Sequence, residues 1–126
     1  MVRPVNTPSK AAHLVAGEAA ERAAEAYLRA QGLTTLSRNY RCRFGEVDLI
    51  MQDCASVVFV EVRLRGSSAF GGALASISVA KQRRLIAAAE HYLASLSVMP
   101  SCRFDAILMN KIDTTDVIWL KDAFSA

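Results

Sequence analysis

The spacing of apolar residues switches between a helical and a strand-like period along the chain, and the switches predict an element order. From Ala11 to Gln31, Ala20, Ala23, Ala24, Tyr27 and Leu28 form one apolar stripe at helical spacing, and Gly32 follows as a stop. Glu18, Arg22, Glu25 and Arg29 fall on a second stripe, in opposite-charge i,i+3 and i,i+4 steps. Thr34 to Arg41 predicts a strand. Gly45 to Ile50 and Phe59 to Arg63 alternate charged and aliphatic residues, as half-buried strands do. Ser78 to Leu96 predicts a second helix, with Ile86, Ala89, Leu93 and Leu96 facing the sheet. Beyond Pro100, Arg103 to Met109 and Asp116 to Leu120 predict two more strands. The order is α-β-β-β-α-β-β. A helix joining the third and fourth strands implies a right-handed crossover, hence an α/β fold with a mixed central sheet flanked by helices. Residues 1–10 read as a flexible tail and residues 11–126 as one domain, with a Gly/Ser-rich loop at 65–72.

The two alternating strands predict a chemistry. Asp53-Cys54-Ala55-Ser56 lies between them, a polar stretch of hairpin length. In the simplest symmetric register Ile50 faces Phe59, Asp48 faces Glu61 and Glu46 faces Arg63. Period-two alternation then puts Glu46, Asp48, Glu61 and Arg63 on one face, and Val47, Leu49, Val60, Val62 and Leu64 on the other. Two carboxylates directly opposite each other destabilise a strand pair. A divalent cation between them removes that penalty. Val57 to Leu64 is apolar except at Glu61 and Arg63, which suggests a central strand covered on both faces. A carboxylate there is costly unless it is paired or metal-bound. The plainer alternative is an internal salt bridge from Glu61 to Arg63 or Arg65. Two carboxylates with main-chain carbonyls and water are hard-oxygen ligands suited to magnesium or manganese.

Composition adds limits. The chain has 126 residues, 52% of them hydrophobic, and a net charge of +3. This mildly basic balance is compatible with a polyanionic partner without establishing one. The three cysteines, Cys42, Cys54 and Cys102, are scattered and form no CxxC or Cys/His cluster, which argues against structural zinc and suits a reducing cytoplasm. No apolar run is long enough to span a membrane, and no signal peptide is recognised. Lys81, Arg83 and Arg84 at the start of the second helix, with Ser78, suit a phosphate backbone. A solvated helix face explains them equally. Arg41 and Arg43, interleaved with Tyr40 and Phe44, suit nucleic acid too, and protective edge-strand charges look the same. Glu18 reads from its spacing as a solvated partner of Arg22, and Asp105 as a partner of a nearby arginine.

Asp48 followed by Glu61-Val62-Arg63 on the next strand resembles the PD-(D/E)xK nuclease core, with Arg63 where that pattern carries lysine. The wider set is Gly17-Glu18, Gly45 to Ile50, Phe59 to Arg63, Lys81 and Arg103-Phe104-Asp105. It is similar to the YraN-like family of small bacterial proteins, usually placed with archaeal Holliday-junction resolvases on a restriction-endonuclease-like fold. The resemblance covers about residues 13–110. It implies a magnesium- or manganese-dependent endonuclease hydrolysing DNA phosphodiester bonds, at branched or repair intermediates. Asp48 and Glu61 would bind the metal with the Val62 carbonyl, Glu18 would complete or orient the shell, and Lys81 or Arg63 would stabilise the transition state. Arg41, Arg43, Arg65, Arg83 and Arg84 would hold nucleic acid. Resolvase relatives act as dimers, which implies a homodimer. Arginine at 63 keeps the charge of lysine but neither its compact geometry nor a proton role. Two other functions compete: a non-catalytic nucleic-acid-binding module that retains the fold, and a protein-interaction module whose hairpin charges are a plain ion-pair network.

Overall fold

The computed structural model describes residues 10–65, 77–110 and 113–125. The expected tail lies outside these residues apart from Lys10, and so does the loop after Arg65. Helix α1 (Lys10–Ala30) leads into strands β1 (Thr34–Cys42), β2 (Gly45–Asp53) and β3 (Ser56–Arg65). Helix α2 (Val79–Leu93) precedes β4 (Cys102–Asn110) and β5 (Asp113–Phe124). This is the predicted order. The five strands form one sheet in sequence order, antiparallel except for the β3–β4 pair, which is parallel across the α2 connection.

Helices cover both faces of the sheet. On one face Ala20, Ala24 and Leu28 of α1 pack against Leu49, Val58, Val60 and Ile107. On the other, Leu85, Ala88, Ala89 and Leu93 of α2 pack against Ile50, Val57, Phe59 and Phe104. The α2 stripe is therefore rotated from the predicted one. Leu85 and Ala88 are buried, whereas Ile86 and Leu96 are only partly buried at its margin. Ser78 caps α2, its hydroxyl accepting from the Lys81 N–H at 3.1 Å. Accepting the cap bond leaves the Ser78 O–H able to donate.

Strand β3 is the central strand expected from its apolar run, with Val57 to Glu61 all buried. The β2–β3 register is the predicted one: Ile50 pairs with Phe59, and the ladder runs from Leu49↔Val60 to Asp53↔Ser56. Cys54 and Ala55 are left as a two-residue turn, with Cys54 at a positive φ of 54°.

The predicted alternation of faces fails at one place. Val47 joins the α2 cluster with Ile50, while Leu49 joins the α1 cluster. Across from this reversal, Asn39 has a φ of 51°. Its neighbours likewise part, Arg38 bonding Glu25 of α1 and Tyr40 meeting His91 of α2. A left-handed residue rotates the chain about its axis, so the side chains on either side of it no longer share a face. Asp48 lies where the sheet turns over.

Asp105 is fully buried on β4 and accepts from Arg103 Nε, from Trp119 Nε1 at 2.9 Å and from the Asp122 N–H at 2.9 Å. The arginine pairing expected for it is present, and its other two bonds tie the edge strand β5 to β4. On α1, Glu25 is buried. It accepts from Arg38 Nε at 2.8 Å and from the Thr35 hydroxyl at 2.5 Å.

Candidate active site

The β2–β3 ladder stops at Leu49↔Val60, one pair short of Asp48 and Glu61. There Asp48 replaces a main-chain carbonyl: its Oδ2 accepts the Val62 N–H at 2.9 Å. A strand residue turns its N–H and C=O to the same neighbour. The Val62 carbonyl therefore faces the Asp48 side of β3.

Glu61 is 3% exposed and feels the negative charge of the Asp48 carboxyl. Arg63 Nη1 lies 3.4 Å and Lys81 Nζ 3.6 Å from its Oε2. The second oxygen, Oε1, is buried without a hydrogen-bond partner. Such an orphaned buried oxygen is rare in a folded protein. Burial, followed by the charge of Asp48, pushes the Glu61 carboxyl up to about 8, against the opposing pull of Lys81 and Arg63. The two cations do not neutralise the site. The internal salt bridge to Arg63 expected as the plainer alternative is present, and it leaves Oε1 without a partner.

The α1 carboxylate that meets Asp48 is Glu21, which the sequence reading did not select. Burial and then Asp48 push it up to about 7, and a hydrogen bond from Asn39 partly offsets them. Glu18 is exposed and lines a pocket of about 80 Å³ together with Glu21, Arg38 and Asn39. A signal for Glu21 was available. With Ala24, Glu25 and Leu28 it forms an i, i+3, i+4, i+7 series, so it belongs to the sheet-facing side of α1.

Glu21, Asp48 and Glu61 thus form a chain of three carboxyls with two cations beside it. Among the described residues no three His, Cys, Asp or Glu side chains converge in metal-ligating geometry. The donor set nonetheless fits a hard cation that keeps most of its water. Magnesium is commonly held by one or two carboxylates, and the orphaned Glu61 Oε1 beside Asp48 supplies the second. When bound, such a cation would polarise a phosphate and acidify a water.

The basic residues lie at a second, adjoining feature. Arg41, Arg43 and Arg84 line a pocket of about 410 Å³ with Lys81, Phe44 and Glu46. Glu46 pairs there with Arg41 at 3.1 Å, across the β1–β2 register that sets these two opposite each other. Arg83 is exposed beside Arg84 on α2. The Arg65 side chain lies outside the described residues. Cys42, Cys54 and Cys102 are all free. Among the described residues no helix is long and apolar enough to cross a membrane.

Comparison with known sequences agrees over most of the chain. It is 56% identical over 110 residues to a UPF0102 protein of Methylobacillus flagellatus, covering 87% of this chain and 96% of the relative. It is 52% identical over 108 residues to one of Nitrosospira multiformis, covering 86% and 91%. It is 51% identical over 129 residues to one of Ralstonia nicotianae, covering 98% and 97%. The model of "Uncharacterised protein family UPF0102" matches residues 20–109, a span that includes Glu21, Asp48, Glu61 and Lys81. The chain belongs to the UPF0102 family, which bears out the YraN-like resemblance.

Proposed function

We propose that this protein is a magnesium- or manganese-dependent nuclease that hydrolyses DNA phosphodiester bonds. The observation that carries the reading is Glu61: a carboxylate on the central strand, buried beside Asp48 with one oxygen unpartnered. Stability alone does not favour that arrangement, since an apolar side chain at this position would be less costly. A cation would take up the free oxygen and the excess negative charge together. Functional sites are where such electrostatic conflict concentrates.

The chain's own residues have defined tasks in this reading. Asp48 and Glu61 hold the cation. Asp48 is itself fixed by the Val62 N–H. Glu21 is a further carboxyl next to Asp48 and would accept a proton during the reaction. Lys81 and Arg63 stand on the Glu61 side and meet the negative charge that grows on the phosphate oxygens in the transition state. Arg63 serves only as a fixed cation, because guanidinium does not release its proton. The pocket lined by Arg41, Arg43 and Arg84 receives the neighbouring backbone phosphates.

The test is cleavage of end-labelled duplex, single-stranded and four-way-branched DNA with manganese, magnesium or EDTA. The wild type should cut at least one of these substrates in either metal and none in EDTA. Asp48→Asn and Glu61→Gln should abolish cutting while leaving the protein folded. Salt-sensitive DNA binding without cutting on any substrate would instead favour a non-catalytic nucleic-acid-binding module.

A further inference from the structure

At the tip of the β1–β2 hairpin the Phe44 ring has no role in the chemistry above, yet its seat is built with care. Phe44 is 45% exposed. The Arg43 guanidinium carbon lies 5.0 Å from its ring centroid, and the His91 ring lies 6.0 Å away. The turn is seated firmly on α2. A Cβ added at Gly45 would come within 2.8 Å of the Arg84 carbonyl oxygen, so only glycine permits this approach. Tyr40 anchors the same hairpin, hydrogen-bonding His91 Nδ1 and meeting the Tyr92 ring edge-on at 5.4 Å. An exposed aromatic ring is thus presented on a fixed support.

The surroundings select an occupant. The pocket beside Phe44 has four cations, Arg41, Arg43, Lys81 and Arg84, against the single carboxylate of Glu46. Lys81 also reaches Glu61, so the pocket and the carboxylate centre share a wall. A ligand that suits the pocket is anionic, has a flat apolar face, and continues into the group held at Asp48 and Glu61. A nucleotide beside the scissile phosphate meets all three conditions, provided its base is free to stack. A base inside an intact duplex is covered on both faces by its neighbours and cannot reach the ring without being unstacked.

We infer that this pocket holds one unpaired nucleotide next to the scissile phosphate, its base against Phe44 and its backbone among Arg41, Arg43 and Arg84. The inference rests on the nuclease reading and names the substrate class: DNA with a single-stranded or branch-point nucleotide at the cut, rather than uninterrupted duplex. Stacking on an aromatic ring tolerates any base, so the selection is for structure rather than sequence.

The experiment is fluorescence anisotropy with the full chain, in EDTA and again in calcium. Three DNAs are compared: a blunt duplex, the same duplex with a short single-stranded overhang, and that overhang made abasic. The wild type should prefer the base-bearing overhang over both others by roughly tenfold, the typical effect of one stacked base. Phe44→Ala should lose that preference while holding blunt-duplex affinity within about twofold, since the phosphate contacts remain. Phe44→Trp should retain it, and its added fluorescence should be quenched by the base-bearing overhang alone. Equal affinity for all three DNAs, or equal weakening of all three by Phe44→Ala, overturns the inference and leaves the nuclease reading standing. No binding to any DNA in either condition overturns both.

Discussion

Replacing Glu61 by glutamine should stabilise the metal-free protein, and the gain should grow with pH. The carboxyl sits on the central strand, 3% exposed, beside Asp48. Its native pKa is raised from 4.5 to about 8. Between those values the native state keeps a proton that the unfolded chain has released, so stability falls as pH rises through the window. At 1.36 kcal/mol per pH unit, the full span corresponds to on the order of 4 kcal/mol lost by pH 8. Glutamine never ionises, so it avoids this loss. Urea unfolding in EDTA should give nearly equal stabilities for the two proteins at pH 5. By pH 8 Glu61→Gln should be the more stable by a few kcal/mol. Manganese should reverse the order at pH 8, because only wild type retains both carboxylates for the ion. The reasoning is refuted if Glu61→Gln is less stable than wild type at pH 8 in EDTA. That result would mean the contacts with Lys81 and Arg63 outweigh burial and the charge of Asp48, leaving Glu61 a plain ion-pair partner.

Other perturbations separate structural from chemical roles. Asp105→Ala strands the Trp119 and Asp122 N–H groups and leaves the Arg103 guanidinium with Asp53 as its remaining carboxylate partner, and should cost about 3–5 kcal/mol in urea unfolding whether or not metal is present. The Glu25 carboxyl is held below its ordinary value first by its bond from Arg38. Its contribution is therefore present above pH 4.5 and lost as pH falls through the native pKa, so Glu25→Gln should lower the urea midpoint at pH 7, and the difference should shrink as the pH falls below 4.5. Lys81→Met should lower the single-turnover cleavage rate by about a hundredfold, the scale of removing one preorganised donor, while thermal stability is largely kept.

The parts of this molecule that were legible in its sequence are those set by local period and by simple pairing. The element order follows from apolar spacing, and the Ile50↔Phe59 register follows from the two-residue turn at Cys54-Ala55. Placing Asp48 near Glu61 needed no more than that register. The faces were misjudged because alternation assumes an unbroken strand, whereas the chain turns over opposite Asn39 and separates Val47 from Leu49. Glu25 was placed on a charged stripe with helical partners, but the Arg38 and Thr35 bonds it accepts come from β1, distant in sequence terms from its helical neighbours. Glu18 entered the candidate set through the family resemblance, and Glu21 was not selected. Which turn of α1 reaches Asp48 depends on how the helix lies across the sheet, and the charge pattern on the helix does not encode that. The position of Glu21 within the apolar series was the clue.

The central claim is that a divalent cation sits between Asp48 and Glu61. A crystal of the wild type grown or soaked in manganese, with anomalous data collected, tests it most directly. The account predicts one strong anomalous peak within about 2.5 Å of a carboxylate oxygen from each residue, with Glu61 Oε1 among them, and its loss in Asp48→Asn. No peak there in the wild type, with both carboxylates instead held only by Lys81, Arg63 and the Val62 N–H, would contradict it.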